Sequence, residues 1–156
     1  MLRCFLERML CGPSGMATVG VPVPIDGQDR LLFARLANIL SDGDGHRMGW
    51  AWKGASSMKP CFKHFNVLKK DSDLAHRKPG FVEICCTDRA QVRSWSASQL
   101  FKTADYVAGA AARLAAGTMS KTDYDDVEKM VGLNHVRNGM LMSNLLRRCV
   151  TAVHHQ

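Results

Sequence analysis

Several common signatures of function are missing from this chain of 156 residues. No apolar run approaches the roughly 20 residues that a membrane-spanning helix needs, which argues against a membrane protein. Glu7 and Arg8 interrupt the only early apolar run, so it lacks the apolar centre of a secretory signal. The run Gly12-Pro13-Ser14-Gly15 has no lysine and is not a phosphate-binding loop, and no Gly-x-Ser-x-Gly elbow is present.

Cysteines follow no regular framework. The chain has six of them: Cys4, Cys11, Cys61, Cys85, Cys86 and Cys149. Neighbouring residues of a strand point to opposite faces, so the adjacent Cys85 and Cys86 do not suggest a disulfide pair. Together with the missing secretory signal, this pattern predicts an intracellular, reducing compartment and free thiols.

Size and composition fit one globular domain. Apolar residues make up 46% and charged residues 22% of the chain, both close to globular averages. We expect an N-terminal arm over residues 1–28 and a single globular domain over residues 29–153.

Hydrophobic periodicity predicts the fold class. Residues 1–12 have helical spacing, and the proline-containing stretch 19–25 reads as an edge strand or extended arm. Asp29 can cap a helix through about Leu40, and a short helix follows over residues 46–52. Residues 81–86 predict a strand buried on both faces.

The C-terminal half predicts three helices. Ser96 to Gln99 has the pattern of a capping box, and the helix that follows stops at Gly117. Ser120 begins another helix that Gly132 closes, and a last helix starts near Leu141 or Ser143. The whole is an α+β fold: a small, helix-rich domain with one or two short strands and a long basic loop.

The loop carries most of the surplus charge. The chain has a formal net charge of +7, and between His46 and Gly80 eight basic residues stand against two aspartates. These basic residues are Arg47, Lys53, Lys59, Lys63, Lys69, Lys70, Arg77 and Lys78. A local basic patch favours a polyanion partner such as nucleic acid, although scattered lysines on a solvated loop would give the same pattern.

Cys61 and His64 form a Cys-x-x-His pair after Pro60. This spacing suits half of a zinc site, in which thiolate and imidazole come from one tight turn. His76 is the preferred further ligand, and His46, Cys85 and Cys86 are others. The alternative is a buried thiol beside a surface histidine.

Asp42 and Asp44 lie in a glycine-rich turn. Paired carboxylates can hold Mg²⁺ for phosphoryl transfer, but the same residues suit a polar turn in which either aspartate caps a helix. Trp50 and Trp52 lie in the basic region, where aromatic rings can stack on unpaired bases. Residues two apart do not share a helix face, so we expect at least one tryptophan in the core.

A family resemblance adds a functional expectation. The runs Leu31–Arg47, Trp52–His64 and Asp71–Arg77 resemble a repeated, uncharacterised protein type abundant in dinoflagellate genomes. The order of acidic turn, Trp-Lys-Gly and Lys-Pro-Cys-x-x-His also looks like the middle of eukaryotic DDE transposases of the CACTA type. His64 stands where the second cysteine of their knuckle would be, and only one acid of their triad has a match, at Asp42 or Asp44.

The resemblance implies a fragment derived from a transposable element, catalytically inactive by itself, and a nuclear location. The leading hypothesis is a module that binds nucleic acid through the basic loop. A protein-interaction module with a structural zinc at Cys61 and His64 is the alternative, and a Mg²⁺-dependent polynucleotidyl transferase using Asp42 and Asp44 is a third.

Overall fold

The computed structural model describes residues 2–34, 43–70 and 79–149, which form five α-helices and two sheets of two strands each. The predicted small α+β class is confirmed. Within the described residues, no helix combines the length and the hydropathy required to cross a membrane.

The N-terminal helix is part of the core. Helix α1 (Leu2–Leu6) continues as a π-helix (Glu7–Cys11) and ends at Gly12, as its apolar spacing predicts. Leu6 and Leu10 are buried with Met140 and Leu146 near the other end of the chain. Cys11 is disulfide-bonded, so the expectation that all thiols are free was wrong.

A β-hairpin follows, made of β1 (Val21–Ile25) and β2 (Gln28–Leu32). Asp26 and Gly27 both have positive φ, 52° and 74°, the backbone of a two-residue type I′ turn. This turn folds the chain back onto β1, so the prediction of a helix beginning at Asp29 was wrong. The last part of that expected helix, residues 35–40, lies outside the described part of the chain.

The middle of the chain has little regular structure, as predicted. Helix α2 (Gly43–Trp50) leads into a 3-10 turn (Gly54–Ser56), and β3 (Val67–Leu68) pairs in parallel with β4 (Val82–Glu83). Only two residues of the predicted strand over 81–86 are in β4. Ile84 is 54% exposed and Cys85 is exposed, so the expectation of a strand buried on both faces was wrong for these residues.

Capping residues set the ends of the longer helices. Helix α3 (Ala97–Ala115) begins after Ser96, whose hydroxyl accepts from the Gln99 N–H while the Gln99 side chain accepts from the Ser96 N–H. The predicted capping box is therefore confirmed. Helix α4 (Lys121–Val131) begins after Ser120 and ends at Gly132 with φ of 82°, also as predicted. Helix α5 (Asn144–Cys149) follows a 3-10 turn (Met140–Met142).

The main core joins the middle loop to α3. The rings of Trp52 and Trp95 meet edge to face with centroids 6.2 Å apart. The buried residues of this cluster are Trp52, Trp95, Leu100, Ala104, Val107, Leu133 and Leu141. Trp52 is thus a core residue, as expected of at least one of the two neighbouring tryptophans, and is not free to stack on a base.

Candidate nucleic-acid interface

Asn66 holds the basic loop in a defined shape. It is fully buried, and its amide nitrogen donates to the carbonyl oxygens of Gly80 (2.7 Å) and Gln91 (2.8 Å). Its side-chain oxygen accepts from the Arg93 N–H at 2.8 Å. One side chain thus joins its own stretch of backbone to Gly80 and to the segment that holds Gln91 and Arg93. Asparagine in a loop is usually a local turn residue, so these distant partners could not be predicted from the sequence.

Backbone hydrogen bonds complete this framework. The Phe65 N–H donates to the Arg93 carbonyl and the Trp95 N–H to the Lys63 carbonyl, each at 3.1 Å. His64 and Ser94 lie opposite each other between these bonds as an antiparallel bridge. The stretches around Lys63 and Arg93 are therefore neighbours, although 30 positions separate them in the sequence.

Five exposed cations lie on this framework. Three are predicted interface residues, and two, Arg89 and Arg93, were missed because they lie beyond the loop's apparent end at Gly80. The set is Lys63, Lys69, Lys70, Arg89 and Arg93, and none forms an ion pair with any residue that the structure describes.

Among the residues that the structure describes here, the acids are Glu83 and Asp88. Asp88 accepts hydrogen bonds from the Gln91 side chain and the Ala90 N–H, and these lower the pKa of its carboxyl. Glu83 accepts from the Cys85 thiol at 3.3 Å, and this bond raises the pKa of that thiol. Both acids have partners in their own turns, and the five cations outnumber them.

Two of the predicted interface lysines point inward instead. Lys53 donates to Glu128 at 2.9 Å and to Asn134 at 3.0 Å, and its side chain is only 18% exposed. Lys59 lies over the rings of Phe81 and Trp95, and burial lowers the pKa of its ammonium group. Because Lys53 is mostly buried and paired with Glu128, it does not contribute to the exposed positive charge.

Arg47 is exposed on α2, and its Nε lies 3.3 Å from the point where a Cβ on Gly54 would stand. The positive φ of Gly54 and this close approach explain the glycine of the Trp-Lys-Gly run. Arg77 and Lys78 lie outside the described residues. Within the described residues, the exposed cations therefore keep Lys63, Lys69 and Lys70 of the predicted patch and extend beyond it to Arg89 and Arg93.

The Cys-x-x-His pair is brought together. Cys61 Sγ lies 3.1 Å from His64 Nδ1, and both side chains are half-buried. Burial and the neighbouring charge of Lys63 lower the pKa of His64 and favour its neutral imidazole. Among the residues with a described placement, no group of three or more His, Cys, Asp or Glu could hold a metal ion. His76 lies outside them, so a zinc site built with it stays a prediction.

The acidic turn is described only in part. Asp42 lies outside the described residues, and Asp44 lies in α2 without a described side chain. A two-metal site at Asp42 and Asp44 therefore also stays a prediction.

Comparisons of the chain with family models, with curated proteins and with solved structures found no match.

Proposed function

We propose that this protein binds nucleic acid through the phosphate backbone, using the basic surface formed by Lys63, Lys69, Lys70, Arg89 and Arg93. The observation that carries the proposal is that these five side chains are exposed, without ion pairs among the described residues, on one hydrogen-bonded framework. Phosphate contacts need exposed cations more than a shaped pocket, and these five side chains are exposed. Base-specific recognition is not part of the proposal.

A salt series tests the proposal. Each phosphate that the protein neutralises on duplex DNA contributes about 0.9 to the slope of log affinity against log salt concentration. We expect the double variant Lys63→Gln, Arg93→Gln to lower that slope by about 1.8, since two phosphate contacts are lost. Fluorescence anisotropy with a short labelled duplex and with a labelled single strand would measure it.

The matched control is Lys102→Gln, Arg113→Gln on α3, two exposed cations away from the framework. It removes the same net charge, so an effect of overall charge alone would lower the slope equally in both double variants. Equal slopes in the two variants, or no binding by the wild type at low salt, would rule out the proposed surface.

An origin in a transposable element is a separate proposal that rests on the resemblance alone. Binding without sequence preference is what this surface would retain from such an ancestor, since phosphate contacts carry no sequence information.

A further inference from the structure

Among the described residues, the β-hairpin has little contact with the rest of the molecule. Its strands β1 and β2 pair with each other, and nine of their ten residues are exposed. Among these are large apolar side chains: Val21, Ile25, Leu31 and Leu32. A two-stranded hairpin is marginally stable by itself in water, and a sheet of three or more strands is needed for independent stability.

The two edges of the hairpin differ. A two-residue turn makes Ile25 and Gln28 a hydrogen-bonded pair, and such pairs alternate with non-hydrogen-bonded pairs along an antiparallel ladder. Within the pairs Pro24–Asp29 and Pro22–Leu31, the two residues therefore share no backbone hydrogen bond. The backbone groups of those four residues therefore point away from the hairpin. Proline has no N–H, which leaves the β1 edge without outward donors there. On the β2 edge, Asp29 and Leu31 present both N–H and C=O.

We propose that β2 pairs edge to edge with β2 of a second copy of this chain. Because prolines protect the outer edge of β1, such pairing closes at two copies and gives a four-stranded sheet in the order β1-β2-β2-β1. The occupant of the open edge is a second copy because β2 complements itself in one register, described next.

That register is antiparallel with a two-fold axis at Leu31. In such a pair, residues whose backbone N–H and C=O point away from their own hairpin must lie opposite one another. On β2 these residues are Asp29 and Leu31, so the two-fold axis can lie at Asp29, at Leu31 or at Arg30 between them. An axis at Arg30 places two guanidinium groups directly opposite each other, and one at Asp29 does the same with two carboxylates; both arrangements are destabilising. An axis at Leu31 pairs leucine with leucine and sets each Arg30 opposite Leu32 of the other copy.

The oligomeric state tests this inference. Light scattering after gel filtration should show the mass rising from 17.2 kDa toward twice that value as protein concentration increases. Leu31→Pro removes one outward donor on each copy and should hold the protein at the monomer mass. Leu31→Ala keeps that donor and should still dimerise. A wild type that stays monomeric at every concentration, or a Leu31→Pro variant that dimerises like it, overturns the proposal.

A cysteine pair tests the register without relying on the proline variant to fold. In a hydrogen-bonded antiparallel pair the Cα atoms lie about 5.5 Å apart, within disulfide range, so Leu31→Cys should cross-link to itself under mild oxidation. Asp29→Cys places the two thiols four positions apart along the strands, about 14 Å, and should not exceed the wild-type background. Equal cross-linking at both positions would contradict the proposed register.

Discussion

At the scale of single residues, Glu128 is a buried carboxylate with three hydrogen-bond donors around it. Its carboxylate accepts from the Tyr124 hydroxyl at 2.6 Å, the His135 N–H at 2.8 Å and Lys53 Nζ at 2.9 Å. Glu128 is 8% exposed, so these bonds replace the water it has lost. Burial and the hydrogen bond to this anion raise the pKa of Tyr124.

We expect Glu128→Gln to lower the free energy of unfolding by about 2–3 kcal/mol, because it leaves the Lys53 ammonium half-buried without its counter-charge. Asp126→Asn on the same helix is the control. Its ion pair with Lys129 spans 3.4 Å between side chains that are more than half exposed, and its loss should cost less than about 0.5 kcal/mol. Urea unfolding followed by circular dichroism would measure both. Similar costs would show that the buried pair adds no stability.

The loss of unfolding free energy caused by Glu128→Gln should depend on pH. Burial alone would raise the pKa of Glu128, but the hydrogen bonds from Tyr124, Lys53 and the His135 N–H together lower it below the ordinary 4.5. A lowered carboxyl pKa contributes stability above the unfolded value, which is lost as pH falls through the folded value. The difference in unfolding free energy between wild type and Glu128→Gln should therefore be constant above about pH 5.5 and shrink below 4.5. A difference that grows on acidification would contradict this assignment.

At the scale of elements, the glycines that end α3 and α4 allow a matched comparison. Gly117 and Gly132 both have positive φ, 70° and 82°. A Cβ on Gly117 would meet nothing within 4 Å, whereas one on Gly132 would lie 3.0 Å from the Lys59 carbonyl oxygen. At Gly117 only the positive φ favours glycine. At Gly132 the missing side chain also lets the loop that carries Lys59 pack closely against the end of α4.

We expect Gly117→Ala to cost about 1 kcal/mol of unfolding free energy, the penalty for a side chain in the left-handed region. Gly132→Ala should cost about 2–3 kcal/mol, since the loop carrying Lys59 must also shift. Thermal unfolding of both variants would measure the difference. Equal melting temperatures would mean that the loop yields to the added methyl group without cost.

Elements were predictable from sequence where their signals are local. The capping box at Ser96, the cap at Ser120 and the stop at Gly132 act within four residues, and all three are confirmed. β2 was mistaken for a helix because Asp29 was read as a cap, while the preceding Asp26-Gly27 turn determines the pairing. The Asn66 framework could not be predicted, because its three partners lie 14 to 27 positions away.

At the scale of the whole molecule, the N-terminal helix and the C-terminal helices share one hydrophobic cluster. Leu10 is 3% exposed and Leu146 is 2% exposed within it. Trp50 packs against both this cluster and the main core around Trp52. The two clusters are thus in contact through one ring, and we expect them to unfold together.

Leu10→Ala should lower the unfolding free energy by about 3 kcal/mol, as is usual for a buried leucine whose cavity cannot fully collapse. Met9→Ala is the control, since Met9 is 37% exposed and its truncation should cost less than about 1 kcal/mol. Because Trp50 touches both clusters, tryptophan fluorescence and circular dichroism should give coincident transitions in the wild type and in both variants. If Leu10→Ala separates the two transitions, the N-terminal helix unfolds as a unit of its own and the basic surface is carried by the remainder of the chain.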